Sequence, residues 1–224
     1  MEPSKTEIVV LGAGPGGYAA AFYAADRGKK VTLVEQSPRL GGVCLNAGCI
    51  PSKALLHATE IMREAKDSAA RGIEFGAPKI DLDKLRAWKD SILDKLGQGI
   101  KGLAQKRGVQ LVHGRGHFED SQTLRVETAD GQKFIAYDTA IIAVGSKAAL
   151  PSAFDLGNKR IMTSTEALEI QDVPGDLLVV GGGYIGMELG TVYAALGSKV
   201  VVLEVLPSIL TGVDPDLVRP VSRF

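Results

Sequence analysis

Two stretches of this chain repeat one another in register, and that repetition limits the fold more than any other feature. Residues 8–38 read IVVLGAGPGGYAAAFYAADRGKKVTLVEQSP, and residues 177–207 read LLVVGGGYIGMELGTVYAALGSKVVVLEVLP. Gly12 and Gly181, Gly14 and Gly183, Gly17 and Gly186, Gly28 and Gly197, and Glu35 and Glu204 each stand 169 residues apart, without a gap. Each copy reads as an apolar strand, a G-x-G-x-x-G turn, a helix with small residues, a glycine stop and a second strand ending in glutamate. That is a βαβ unit. The first glycine permits the tight turn, the second lets the backbone approach a pyrophosphate, and the third lets helix and strand pack closely. The helix N-terminus then offers unpaired N–H groups and a favourable dipole to the phosphates. A carboxylate about 20 residues on is placed to accept hydrogen bonds from a ribose diol, which Glu35 and Glu204 both satisfy. In the second copy Gly181, Gly183, Ile185 and Gly186 are the expected nucleotide-site residues. Glu204, with no arginine between it and Asp216, favours NAD over NADP, whose 2′-phosphate it would repel.

The remaining chain fits an α/β protein: a Rossmann-like dinucleotide-binding domain over residues 1–148, then the start of a second one over residues 149–224. With 224 residues and 45% hydrophobic content, it is long enough to bury a sizeable core. Lys+Arg and Asp+Glu number 26 each, so nothing points to nucleic acid or an anionic membrane as partner. The apolar stretch 177–197 is broken by Glu188 and several glycines and is a poor membrane span. The polar residues 1–7 run straight into an apolar strand, unlike a signal peptide, so the expected location is cytoplasmic. Between the repeats, helical patterns cover 51–72 and 81–108, the latter expected to weaken at Gly97 and Gly99. Strands are expected over 109–118, 123–128, 133–138 and 139–145, with a hairpin turn at Asp130-Gly131. A short helix should open at Ser164 or Thr165. His57, His113 and His117 read as surface or hydrogen-bonded residues rather than metal ligands.

Both cysteines fall in GGVCLNAGCIPSK, residues 41–53. Two cysteines do not complete a structural zinc site, which takes four ligands, so no metal is expected. As a staple, so short a loop would constrain the unfolded chain by only about 2 kcal/mol. A redox role fits better. Cys49 precedes the helix that Pro51 opens, where the dipole favours a thiolate, and Lys53 adds positive charge. A dinucleotide fold leading into a redox pair suggests FAD as the first nucleotide, because a flavin accepts electrons from a dithiol and passes hydride to a nicotinamide.

That cysteine stretch, with VVLGAGPGGYAAA before it and VVGGGYIGMELG after it, resembles the flavoprotein disulfide reductases over nearly the whole chain. Within that family it is most similar to members that oxidise a protein-bound dihydrolipoyl group with NAD. Glutathione reductases would show a second lysine at Ser52 and arginines near Glu204, and mercuric reductases a further cysteine pair. The resemblance implies that Cys44 exchanges with the dithiol substrate, that Cys49 faces the flavin, and that Lys53 lies near the flavin and pairs with Glu188. It implies FAD contacts at Glu35, Gly41, Gly42, Gly116 and Gly145, with NAD held at Glu204. Val144 departs from the family's small or hydroxyl residue before Gly145. The expected partner is the dihydrolipoyl domain of a 2-oxo acid dehydrogenase complex, and the full-length family forms homodimers. The rest of the NAD domain, a later flavin-binding segment and an interface domain carrying a histidine–glutamate base would follow Phe224. The expectation is therefore an N-terminal part that does not turn over alone.

Overall fold

The computed structural model describes residues 3–223. Two compact units emerge: one comprises the chain through Ile50 together with Asp90–Lys147, the other Pro51–Lys89 together with the chain from Ala148 onward.

The first unit is built on a six-stranded sheet of order β3 (Gln110–His113), β2 (Val31–Glu35), β1 (Ser4–Leu11), β6 (Gly131–Ile142), β5 (Thr123–Thr128) and β4 (Arg115–Phe118). Strands β1 (Ser4–Leu11) and β2 (Val31–Glu35) carry the apolar runs of the first repeat and pair in parallel, Ile8 opposite Val31 through Leu11 opposite Val34. Helix α1 (Pro15–Asp26) crosses between them and buries Gly17, Ala21 and Ala24, small residues that admit close helix–sheet packing. One face of the sheet places Val10, Val31 and Leu33 against that helix; the other buries Val9 and Val34 with Leu124, Val126, Ile135 and Tyr137. Each fully buried valine or leucine contributes about 1.5–3 kcal/mol, so alternation across the central strands holds both layers.

Strand β3 (Gln110–His113) extends the parallel part, and β4 (Arg115–Phe118) with β5 (Thr123–Thr128) the antiparallel part. The expected single strand over 109–118 is thus two, divided at Gly114, whose φ is +157°. Conversely, the two strands expected over 133–145 are one, β6 (Gly131–Ile142). It pairs antiparallel with β5 at its start and parallel with β1 from Ile135 onward. Asp138-Thr139 lacks the glycine or proline that a break would need, and parallel pairing continues through Thr139.

Helix α2 (Gly42–Ala47) carries Cys44, and α3 (Cys49–Asp67) starts at Cys49 itself rather than at Pro51. Proline fits there because first-turn N–H groups have no intrahelical partner. Helix α4 (Leu82–Lys106) runs unbroken through Gly97 and Gly99, where weakening was expected.

In the second unit, β7 (Asp176–Val180), α6 (Tyr184–Leu196) and β8 (Lys199–Leu203) form the repeated βαβ, with Asp176 opposite Lys199 through Val180 opposite Leu203. Leu55 of α3 packs with Leu189, Val192, Tyr193 and Leu196 of α6 and with Leu168 and Ile170. The short helix α5 (Ser164–Ala167) is capped by Thr163, one residue before the expected opening, in a capping box with Glu166. Its end is held by Lys89, 1% exposed, which donates to the Leu168 carbonyl at 3.0 Å, and by Arg86, which donates to the Ile170 carbonyl at 2.6 Å. A last helix, α7 (Pro215–Val221), is capped by Asp214. Among the described residues no helix is long and apolar enough to cross a membrane.

Candidate functional site

The two glycine turns separate what the chain needs from what it does not. Gly12 and Gly181 have φ of +99° and +101°, a backbone that favours glycine. A Cβ on Gly17 would lie 1.7 Å from the Gly12 carbonyl oxygen, and one on Gly186 2.5 Å from that of Gly181. The first and third glycines are therefore demanded by the fold. The second is not. Gly14 and Gly183 have φ of −72° and −74°; a Cβ on Gly14 would meet only Gly42 Cα, at 3.6 Å, and one on Gly183 nothing within 4 Å. Both residues are N-caps, of α1 and α6, and neither helix receives a side-chain cap. No side chain therefore takes up the first-turn N–H groups that a Ser, Thr or Asp would normally satisfy, as an anion site requires.

Each turn is tied to the end of its second strand by the glutamate assigned to the ribose. Glu35 accepts from the Ala13 N–H at 2.7 Å through one oxygen and from the Ser37 N–H at 2.8 Å through the other. Glu204 repeats this with Gly182 at 2.7 Å and Leu206 at 2.8 Å. Backbone donation, from Leu206 first and then Gly182, holds the Glu204 carboxyl below its ordinary range. Each carboxylate oxygen keeps a lone pair for a hydroxyl donor. The sequence reading missed this clamp, though the register of the repeat carries it: Ala13 and Gly182 are equivalent positions.

In the first unit a cleft of about 1300 Å³ brings together Gly12, Gly14, Glu35, Gly42, Cys44, Gly116 and Gly145. The cysteine loop is fastened to the glycine turn from both sides. The Gly41 N–H donates to the Ala13 carbonyl at 2.9 Å, and a Cβ on Gly42 would stand 2.5 Å from Gly14 Cα. Gly17 is buried beneath the turn it supports. Cys44 is half-buried on the cleft wall, and Cys49 is exposed at the start of α3. Val144, 66% exposed, lines the cleft beside Gly145 and Ser146 and offers it an apolar contact. Residues that sequence reasoning did not single out also line it, among them Arg39, Asn46, Asp94 and Lys101. Asn46 donates from its amide to the carbonyls of Arg39, Leu40 and Gly42, at 3.3, 3.3 and 3.0 Å, and so shapes the loop before Cys44.

In the second unit Lys53 of α3 makes an ion pair with one oxygen of Glu188 on α6, while the buried Ser52 hydroxyl donates to the other at 2.8 Å. Glu188 therefore meets two adjacent α3 residues 135 and 136 positions away in sequence. Gly181, Gly183, Ile185 and Gly186 cluster at the start of α6, with Ile185 45% exposed.

The sequence matches the family described as Pyridine nucleotide-disulphide oxidoreductase over residues 6–223. It is 46% identical over 219 residues to the dihydrolipoyl dehydrogenase of Vibrio cholerae, covering 98% of this chain and 46% of that protein. The dihydrolipoyl dehydrogenase of Haemophilus influenzae is 47% identical over 215 residues, 96% of this chain and 45% of the relative. That of Staphylococcus aureus is 45% identical over 221 residues, 99% and 47%. The chain thus spans about half the length of the curated relatives it matches. Among solved structures, the Cu(II) complex of the HOCl-induced flavoprotein disulfide reductase RclA from Escherichia coli superposes with a TM-score of 0.82 at 27% identity, over 98% of this chain and 47% of that one. With a doubled βαβ unit, a cysteine pair beside the first glycine turn and these relatives, the chain belongs to the pyridine nucleotide-disulphide oxidoreductase family.

Proposed function

We propose that this chain is the dinucleotide-binding and dithiol-bearing part of a dihydrolipoyl dehydrogenase, which oxidises a protein-bound dihydrolipoyl group through Cys44 and Cys49 and reduces NAD. One observation carries the reading: Gly14 and Gly183 are glycines for which neither backbone nor packing gives a reason, at helix starts that receive no side-chain cap. A pyrophosphate supplies that reason at both places. The first-unit cleft suits FAD, with Glu35 on the adenosine ribose, Gly42, Gly116 and Gly145 along its length and Gly41 buried behind Gly42; the second repeat suits NAD, with Glu204 on its ribose.

The chain's own chemistry is thiol–disulfide exchange. A substrate thiolate attacks Cys44 Sγ, the Cys44–Cys49 bond breaks, and Cys49 leaves as a thiolate. The second substrate thiol displaces Cys44, so the substrate closes to a disulfide and two electrons rest on the cysteine pair, with two protons released. Cys49 is the first residue of α3, at the positive end of that helix dipole. Lys53, oriented by Glu188, contributes positive charge as electrons move on. Bound in the cleft, a flavin supplies the two-electron relay between the reduced thiols and NAD. The identity to dihydrolipoyl dehydrogenases supports the substrate, and hence a lipoyl domain of a 2-oxo acid dehydrogenase complex as partner and a homodimer for the full-length enzyme. A cycling thiol pair suits a cytoplasmic setting.

The test is anaerobic addition of dihydrolipoamide to the FAD-reconstituted chain, followed by visible absorption. The flavin bands are expected to bleach in the wild type and to persist in Cys44→Ser and Cys49→Ser. Equal bleaching in the variants would contradict the reading, and faster reaction with glutathione than with dihydrolipoamide would move the substrate to a monothiol that reacts in pairs.

A further inference from the structure

Gly97 stands inside a 25-residue helix, where glycine is a poorer choice than alanine. Its neighbours Gly99 and Gly102 have nothing within 4 Å, so close packing does not explain them. Gly97 is different. A Cβ there would stand 2.9 Å from Arg39 Cγ and 3.5 Å from Cδ, so the Arg39 stem lies on α4 where Gly97 leaves room for it. One turn earlier, Asp94 holds the Arg39 guanidinium at 2.6 Å. Arg39 belongs to the loop after β2, and Arg39, Asp94 and Gly97 all line the same cleft. The side chain therefore spans from the loop wall to the helix wall.

From behind, the Asn46 amide fixes the Arg39 and Leu40 carbonyls, which sets the direction in which Arg39 leaves the backbone. The Arg39 and Asp94 side chains are 33% and 56% exposed, so the bridge lies at the surface of the cleft. A pair so exposed is weak enough to open and re-form.

We infer that Arg39 is a strap across the dinucleotide cleft, a positioning residue seated on Gly97 and fastened by Asp94, which slows cofactor release. The inference rests on the reading that this cleft holds FAD. The experiment follows flavin fluorescence as FAD leaves the reconstituted chain after dilution into excess competing ADP. Arg39→Ala and Asp94→Asn are each expected to speed release roughly two- to fivefold, with the double variant no faster than either single one. Gly97→Ala should also speed release, because its methyl group displaces the Arg39 stem; better helix propensity alone would not do so. Release at the wild-type rate from both Arg39→Ala and Asp94→Asn would overturn the strap while leaving FAD binding intact. A wild-type chain that retains no FAD would overturn the cofactor reading and the strap with it.

Discussion

Gly14 and Gly17 lie three residues apart and answer to different causes. Alanine at Gly17 must push a Cβ into the Gly12 carbonyl at 1.7 Å, so the turn has to move. Gly17→Ala is expected to cost about 3 kcal/mol or more in urea unfolding. Glu204 gives a second test at this scale. Its carboxyl is depressed by the Leu206 and Gly182 N–H groups, so its stabilising contribution is present above the ordinary value of 4.5 and is lost as pH falls through the lowered one. The Gly182 and Leu206 amide proton resonances should stay downfield at neutral pH and move upfield together only below that ordinary value. Glu204→Gln should abolish this titration; amide shifts that ignore pH between about 2 and about 6 would contradict the clamp. Residue-level function was partly legible in sequence. Glycine spacing revealed the turns, because conformational demand acts on residue type. Arg39 and Asn46 went unnoticed, because what they do depends on a loop path that no spacing encodes.

At the level of elements, both βαβ units were legible because strand and helix periods alternate cleanly around fixed glycines. Boundaries were less so where no residue type marks them. Strand β6 carries no turn residue between its antiparallel and parallel halves, so its change of partner is set by the sheet rather than by local sequence. Helix α4 persists through Gly97 because its neighbours supply what propensity lacks: Leu93 and Ile100 are buried against Tyr18, Phe22 and Leu40. The Lys53–Glu188 pair joins two helices far apart in the chain and was reached only through family resemblance. The start of α5 is testable by its cap. Thr163 and Glu166 bond one another's backbone N–H groups or their neighbours', and the Thr163 hydroxyl is the first cause of a lowered Glu166 carboxyl pKa. Thr163→Ala should cost about 1 kcal/mol in chemical unfolding, and Thr163→Ser should retain most of the stability. Equal losses in both variants would mean that the methyl group, and not the hydroxyl, matters.

For the molecule as a whole, the two sheets differ in cover. The six-stranded sheet is buried on both sides of its centre, whereas β7 and β8 leave Leu178, Val180, Val201 and Leu203 between 54% and 60% exposed on one face. A contiguous apolar face of this kind favours association. Sedimentation of the chain should show concentration-dependent self-association that Leu178→Lys with Val201→Lys reduces, without loss of FAD binding; association unchanged by that double variant would place the sticky surface elsewhere. Whether the first-unit cleft is built around a dinucleotide is decided by titrating FAD into the wild type and Gly14→Ala while recording their thermal unfolding without ligand. Nearly equal unfolding temperatures and at least about tenfold weaker FAD binding are expected in the variant, since its Cβ would enter the space proposed for the pyrophosphate. Unchanged FAD affinity in Gly14→Ala would contradict a cleft built around a dinucleotide.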